Sequence, residues 1–274
     1  MNDPRLTPAR SDVAAAKLKG QVDAERFVEA VPHQVKVGAS VLREAPSFVA
    51  RLESQLLCGE IFDVYDRDDD GWVWGQARLD GYVGYARAES FDTDIHEPTH
   101  RVAVLRTLVF PEPDKKSQPP SPLSLNAKLK IVAHENSFAG LSRGGWVYAA
   151  HIAPLDAKLE DWVASAERFV GLPYLWGGKD SSAADCSGVV QSALETGGVF
   201  APRDADLQEK SVGRPVEPGA PLKRGDLVFW PGHVGVMRSP TELLHANAFH
   251  MQTVIEPLAE AIARNGQPRT IRRL

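Results

Sequence analysis

Two cysteines occur among the 274 residues, Cys58 and Cys186, and the second stands where a thiol can do chemistry. Its neighbours, Asp185, Ser187 and Gly188, are polar or small, whereas a cysteine kept for packing sits among apolar residues. A sulfur nucleophile needs a base within hydrogen-bond reach, and that base needs a third group to fix its orientation and tautomer. Two histidines downstream fit those roles. His233 opens the alternating stretch His233-Val234-Gly235-Val236-Met237, and His245 follows in Leu243-Leu244-His245-Ala246. Taken singly, each imidazole reads as a satisfied structural residue; their order behind Cys186 favours nucleophilic attack on an acyl carbon.

Such a constellation requires elements that bring its members together. Cys186 to Glu195 reads as a helix closed by Gly197-Gly198. The first turn of a helix lowers a thiol's pKa, because its unpaired N–H groups and the helix dipole favour negative charge. Tyr174-Leu175-Trp176-Gly177-Gly178 forms a turn ahead of it, and Ser187-Gly188 would let a substrate approach the backbone closely. Asp226 to Trp230, His233 to Arg238 and Glu242 to Ala246 read as strands. On the middle one His233 shares a face with Gly235, leaving room for a neighbouring helix. Leu159, Trp162, Val163, Ala166, Phe169 and Val170 are spaced for one apolar helical face before Gly171-Leu172-Pro173. Helix followed by sheet over residues 156–274 implies an α+β domain.

Upstream the pattern is all-β. His33-Gln34-Val35-Lys36-Val37 and His100-Arg101-Val102-Ala103-Val104 open two copies of a diverged repeat. The first runs on to Gly71-Trp72-Val73 and Gly81-Tyr82-Val83; the second passes a Pro-rich loop, Pro111 to Pro122, and ends at Gly144-Gly145-Trp146-Val147. Short strands punctuated by Gly and Pro remove their edges best by closing, so residues 31–92 and 93–155 are expected to form two small barrels, with one continuous β-domain as the alternative. Residues 1–30 are an extension with weak helical periodicity, expected to pack across a domain junction. The fold class is therefore multidomain, two small all-β barrels followed by an α+β domain.

The Gly-Trp-Val and Gly-Tyr-Val strands resemble bacterial SH3-like domains. Tyr174-Leu175-Trp176-Gly177-Gly178, Asp185-Cys186-Ser187-Gly188, Gly225-Asp226-Leu227-Val228-Phe229, His233-Val234-Gly235-Val236 and Leu244-His245-Ala246 resemble the NlpC-type, papain-like cell-wall cysteine peptidases over about residues 156–274. That resemblance implies Cys186 as nucleophile, His233 as general base and then acid, and His245 as the orienting polar residue. It places the Tyr174 hydroxyl near the developing oxyanion and Trp176 along the cleft. The two barrels look like those of the γ-D-glutamyl-L-diamino-acid endopeptidases that trim muropeptides. In that subgroup the first barrel caps the cleft, and the substrate is a murein tripeptide or tetrapeptide with a free N-terminal L-Ala. An ammonium in a partly desolvated pocket requires carboxylates and oriented acceptors. Asp185, Ser187, Glu60 and Tyr82 are the substrate-binding candidates, with Tyr85 an alternative to Tyr82 because the connection from Glu60 is shorter than in the subgroup. Arg203 either pairs a substrate carboxylate or makes a surface salt bridge.

Composition removes other classes. A formal charge of −5 leaves no basic surface for nucleic acid, and no apolar run approaches the roughly 18 residues of a membrane span. Charges from Asp3 to Arg26 interrupt any export signal, so cytoplasmic residence and recycling of wall peptides are the expectation. Two thiols make neither a disulfide framework nor a cysteine-rich zinc site. Asp66-Arg67-Asp68-Asp69-Asp70-Gly71 imitates a calcium loop, yet its twelfth position is Ala77, so a solvated hairpin turn is expected. No metal or cofactor is expected, and nothing sets the oligomeric state. The rival readings are an amidase or acyltransferase on the same fold and a catalytically inactive protein that binds peptidoglycan fragments.

Overall fold

The computed structural model describes residues 3–118 and 121–274; Pro119 and Pro120 of the proline-rich loop lie outside them. The chain divides into two compact units, Met1–Leu155 and Asp156–Leu274.

In the first unit one antiparallel sheet of seven strands takes in residues 31–92. Its spatial order is Leu52–Leu57, Ala39–Arg43, Val83–Arg87, Trp72–Ala77, Ile61–Arg67, Val31–Val35 and Phe91–Asp92. Alternation along Ile61–Arg67 turns Phe62 and Val64 inward, where they meet Val35, Leu42, Leu56, Val73 and Phe91. Asp68 ends that strand as a hairpin turn: its carboxylate accepts the Trp72 N–H at 2.8 Å, and Gly71 takes φ +83°. Residues from His100 onward build a second core of Val102, Leu123, Ala127, Leu129, Ala139 and Val147. Three short sheets share that core, two of them joined by a bridge in which the Phe110 and Trp146 N–H groups donate to each other's carbonyls at 2.8 and 2.7 Å.

The N-terminal extension is not helical. Val13–Ala15 and Arg26–Val28 pair as parallel strands around one 3₁₀ turn, Ala16–Leu18. Leu6 packs on the first core, and the Arg10 guanidinium pairs with Asp66 and lies 4.6 Å from the Trp74 ring centroid. Pairing of the two short strands and this cation over an aromatic face hold the segment extended within the first unit, which overrides a weak local periodicity.

The second unit contains helices α1 (Val163–Glu167), α2 (Cys186–Thr196), α3 (Ala205–Ser211) and α4 (Leu258–Asn265). Its strands are β1 (Arg214–Pro215), β2 (Leu227–Trp230), β3 (His233–Met237), β4 (Glu242–Asn247), β5 (Gln252–Pro257) and β6 (Thr270–Arg273). They form one antiparallel sheet in the order β1-β6-β2-β3-β4-β5. Val228, Trp230, Met237 and Leu243 from the sheet bury against Ala261 of α4, and α2 is buried along almost its whole length. The helix expected over 159–170 shrinks to α1. Trp162, Val163, Ala166 and Phe169 are buried as that spacing implies, but Leu159 and Val170 are 38% and 42% exposed. Beyond α1 the N–H groups of Phe169, Val170 and Leu172 each reach back three residues. This tight coiling carries the chain towards Pro173 without a further α-turn.

Candidate active site

Asp185 organises the start of α2. As N-cap it accepts the Gly188 N–H on Oδ1 at 2.7 Å, while Oδ2 accepts the Gly177 N–H at 2.7 Å from the preceding turn. The Arg203 guanidinium completes the arrangement, with Nη1 donating to Oδ1 at 2.9 Å and Nη2 to Oδ2 at 2.7 Å. Nη1 also donates to Ser187 Oγ at 2.9 Å, and Nη2 to the Gly178 carbonyl at 3.2 Å. Arg203 is only 1% exposed, so the surface salt bridge expected there is a buried bidentate pair. Gly188 also differs from expectation. A Cβ at this position would fall 2.1 Å from the Gly178 carbonyl oxygen, so the space it leaves is filled by the chain's own turn and not by a substrate.

Cys186 follows directly, 7% exposed. Burial pushes its thiol up to about 12 and the Asp185 charge adds to this, while the N–H groups of Val234 and Ser187 and the Arg203 charge pull the other way without prevailing. The thiol lowered by its helix start is therefore corrected: desolvation of a thiolate outweighs the helix terminus here. His233, beside Val234 on β3, is driven down to about 4, first by burial and then by the charges of His245 and Arg264, against Asp185 and Glu256. At neutral pH the resting pair is thus a thiol and a neutral imidazole. To attack as a nucleophile, such a sulfur would have to give up its proton to a nearby base.

The sheet register explains the company His233 keeps. Val236 faces Leu244 and Met237 faces Leu243, which brings Gly235 to His245; a Cβ on Gly235 would lie 3.2 Å from the His245 Cβ. The glycine therefore makes room first for the neighbouring strand, not for a helix. His233, two residues on, meets His245 diagonally, Nε2 to Nδ1 at 2.8 Å. On the other side His245 faces Val254 and Leu243 faces Glu256, so Glu256 is the second diagonal neighbour of His245. Its Oε1 lies 2.7 Å from the His245 Nε2. Arg264 of α4 closes on both Glu256 oxygens, Nη1 to Oε2 at 3.2 Å and Nη2 to Oε1. Burial opposes ionisation of Glu256, yet Arg264 and His245 hold its carboxyl below the ordinary range. Asn247 Nδ2 also lies 2.9 Å from His245 Nε2. An ionised carboxylate can only accept, so Nε2 carries the proton and the amide contact is no hydrogen bond. Sequence reasoning singled out neither Glu256 nor Arg264. Strand β5 was the available signal, but its register decides which face Glu256 takes.

Tyr174 is half-buried. Burial, then the charges it faces at Cys186 and Asp185, raise its hydroxyl well above the ordinary range, so it stays a proton donor. Its N–H donates to the Met251 carbonyl at 2.9 Å, joining the turn ahead of α2 to the β4–β5 loop. Trp176 is 55% exposed. Glu60 and Tyr82 belong to the first unit, and both are buried. Tyr82 is part of the first core and its hydroxyl reaches Glu53 Oε2 at 3.4 Å, while Tyr85 accepts from Arg10 at 3.0 Å. Among the described residues, no group of three or more His, Cys, Asp or Glu side chains is arranged to hold a metal, and no helix is long and apolar enough to cross a membrane.

Comparison with known proteins bears on both units. Residues 42–91 match the bacterial dipeptidyl-peptidase SH3 domain, and residues 171–267 match the NlpC/P60 family. Dipeptidyl-peptidase 6 of Lysinibacillus sphaericus is 26% identical over 227 residues, covering 74% of this chain and 82% of that protein. The γ-D-glutamyl-L-lysine dipeptidyl-peptidase of Bacillus subtilis is 32% identical over 155 residues, and the match spans 51% of each chain. The crystal structure of an NlpC/P60 family protein from Bacillus cereus superposes with a TM-score of 0.76, covering 88% of this chain and 99% of that one at 20% identity; at that identity the likeness is one of fold.

Two outcomes are expected. Because His233 is neutral down to about pH 4, the acid limb of kcat/KM should fall below pH 6. A limb at 6.5 or above, an unperturbed imidazole, would contradict this account. Gly188→Ala should cost about 1–3 kcal/mol in urea unfolding. Since the backbone carbonyl it meets must shift the helix start, kcat/KM should fall about a hundredfold.

Proposed function

The chain joins a bacterial SH3-type domain to an NlpC/P60-family cysteine peptidase domain, and from that premise we propose that it hydrolyses the γ-D-glutamyl–diamino acid bond of murein peptides bearing a free N-terminal L-Ala. The observation that carries this reading is the placement of Cys186 at the buried start of α2, against the strand that begins with His233. The choice of bond is supported by the Bacillus subtilis relative, a γ-D-glutamyl-L-lysine dipeptidyl-peptidase.

In this reading the Cys186 sulfur attacks the γ-carbonyl carbon as His233 takes the thiol proton. The Tyr174 hydroxyl donates to the oxyanion, a contact worth several kcal/mol when preorganised. Protonated His233 then gives its proton to the amine of the diamino acid, the C–N bond breaks, and a thioester remains. Water, activated by the same imidazole, hydrolyses the thioester and releases L-Ala-D-Glu. The Asp185 carboxylate, whose charge Arg203 already balances, offers the ammonium an oriented acceptor, with Ser187 and Arg203 holding it in place. The substrate is a peptide already freed from the wall and broken down for reuse in the cytoplasm.

The test is incubation with L-Ala-γ-D-Glu-diaminopimelate, its L-lysine counterpart and the N-acetylated forms, with fragments identified by mass. Free-amine peptides should yield L-Ala-D-Glu, acetylated ones should not be cut, and Cys186→Ala should turn over neither. Equal cleavage of acetylated and free peptides would overturn the specificity, and turnover by Cys186→Ala at the parent rate would overturn the nucleophile.

A further inference from the structure

We infer that Glu256 is a positioning residue of the peptidase: by accepting the Nε2 proton of His245, it dictates which nitrogen of His233 is left bare to receive the proton of Cys186. This rests on the reading of Cys186 as nucleophile and His233 as its base.

A neutral imidazole has one donor and one acceptor nitrogen, so a row of two can be ordered in either of two senses. With the carboxylate of Glu256 at 2.7 Å from His245 Nε2, that nitrogen must be N–H, and His245 Nδ1 must be a lone pair. The contact of 2.8 Å between His245 Nδ1 and His233 Nε2 is then donated by His233, whose proton sits on Nε2. Nδ1 of His233 is thereby the bare nitrogen. Reversing the first bond reverses every later one. A protonated Glu256 would donate to His245 Nε2, His245 would donate to His233, and His233 would hold its proton on Nδ1, unable to act as a base.

Arg264 guards against that inversion. It grips both oxygens of a carboxylate that is almost fully buried, so the group stays ionised where burial alone would favour the acid. Its guanidinium also lies 4.5 Å from the Phe249 ring centroid, on the loop joining β4 to β5. The charged and titratable groups facing His245 are Glu256, Arg264, His250 and His233; those facing His233 are His245, Arg264, Asp185 and Glu256; those facing Cys186 are Asp185, Arg203 and Tyr174. Glu256 is therefore the carboxylate in direct contact with the imidazole row. Once His233 accepts the thiol proton, the same carboxylate stabilises the imidazolium through His245.

The experiment uses the full chain labelled with ¹⁵N-histidine, comparing the parent with Glu256→Gln and using Cys186→Ala as a control. At pH 7 the parent should show His245 and His233 both protonated on Nε2 and bare on Nδ1. Glu256→Gln, in which the amide can donate as well as accept, should mix the tautomers. It should lower kcat at least about tenfold, as loss of outer partners of a functional histidine does, leave KM within about twofold, and move the acid limb of iodoacetamide alkylation of Cys186 to lower pH. A purely structural role would change thermal unfolding but neither the tautomers nor that limb. Should the variant fail to fold, the parent spectrum decides alone: a proton on His245 Nδ1 overturns the proposal. Parent-like tautomers and kcat in Glu256→Gln, with Cys186→Ala inert, would overturn the role of Glu256 only; turnover by Cys186→Ala would instead overturn the reading on which it rests.

Discussion

The carboxylate of Asp185 accepts from Gly177, Gly188 and both terminal nitrogens of Arg203, and these bonds draw three separate segments of the chain to one point. The turn ahead of α2, the first turn of α2 and the loop ahead of α3 meet there, with further ties from the Asp185 N–H to the Gly178 carbonyl at 3.1 Å and from Gln208 Nε2 to the Ser187 carbonyl at 3.0 Å. Removing one partner of such a buried pair leaves an uncompensated charge, at a cost of about 3–5 kcal/mol. Gly188 lets the helix touch the Gly178 carbonyl of the turn backbone to backbone at this point. The position of the sulfur follows from that junction, since Cys186 is the next residue along.

What the junction creates is a dry place for two groups that prefer to ionise in water. Burial raises the thiol and lowers the imidazole, so neither charge is favoured alone at rest. In the proposed reaction a proton passed between them would produce both charges together, beside Val234 and Ser187 N–H groups on one side and the His245–Glu256 row on the other. Fixed dipoles would then do the work of solvent, with no reorganisation needed during the reaction. The helix terminus is one contributor to this environment, smaller than desolvation.

Local pattern made the elements of the candidate site legible. The alternation from His233, the small polar flanks of Cys186 and the apolar run around Leu243 each point to an element that the structure contains: β3, the start of α2, and β4. The α+β character after the β-rich half was likewise readable from a change of periodicity. What escaped depended on pairing between distant segments. Glu256 joins His245 only because β5 runs back along β4 in one register, and a slip of one residue would turn it to the other face. Arg203 reads as a loop arginine until the loop folds over α2. Residues 3–30 and 159–170 carry an apolar spacing that suits a helix, but pairing of short strands in one and successive tight turns in the other decide their form. Glu60 and Tyr82 were nominated by likeness alone, and the first unit shows their side chains as part of its interior.

The β4–β5 connection has a consequence of its own. Asn247 pairs with Gln252, leaving only Ala248, Phe249, His250 and Met251 to reverse the chain, with Met251 at φ +50°. One residue more or fewer in this hairpin would exchange Glu256 for an apolar neighbour opposite the imidazole, even with every side chain of the proton row retained. The length of the loop is thus under tighter restraint than its composition, although the Phe249 ring, 70% exposed at its tip, lies over the Arg264 guanidinium. Homologous sequences should accordingly tolerate exchanges at this tip far more readily than gaps.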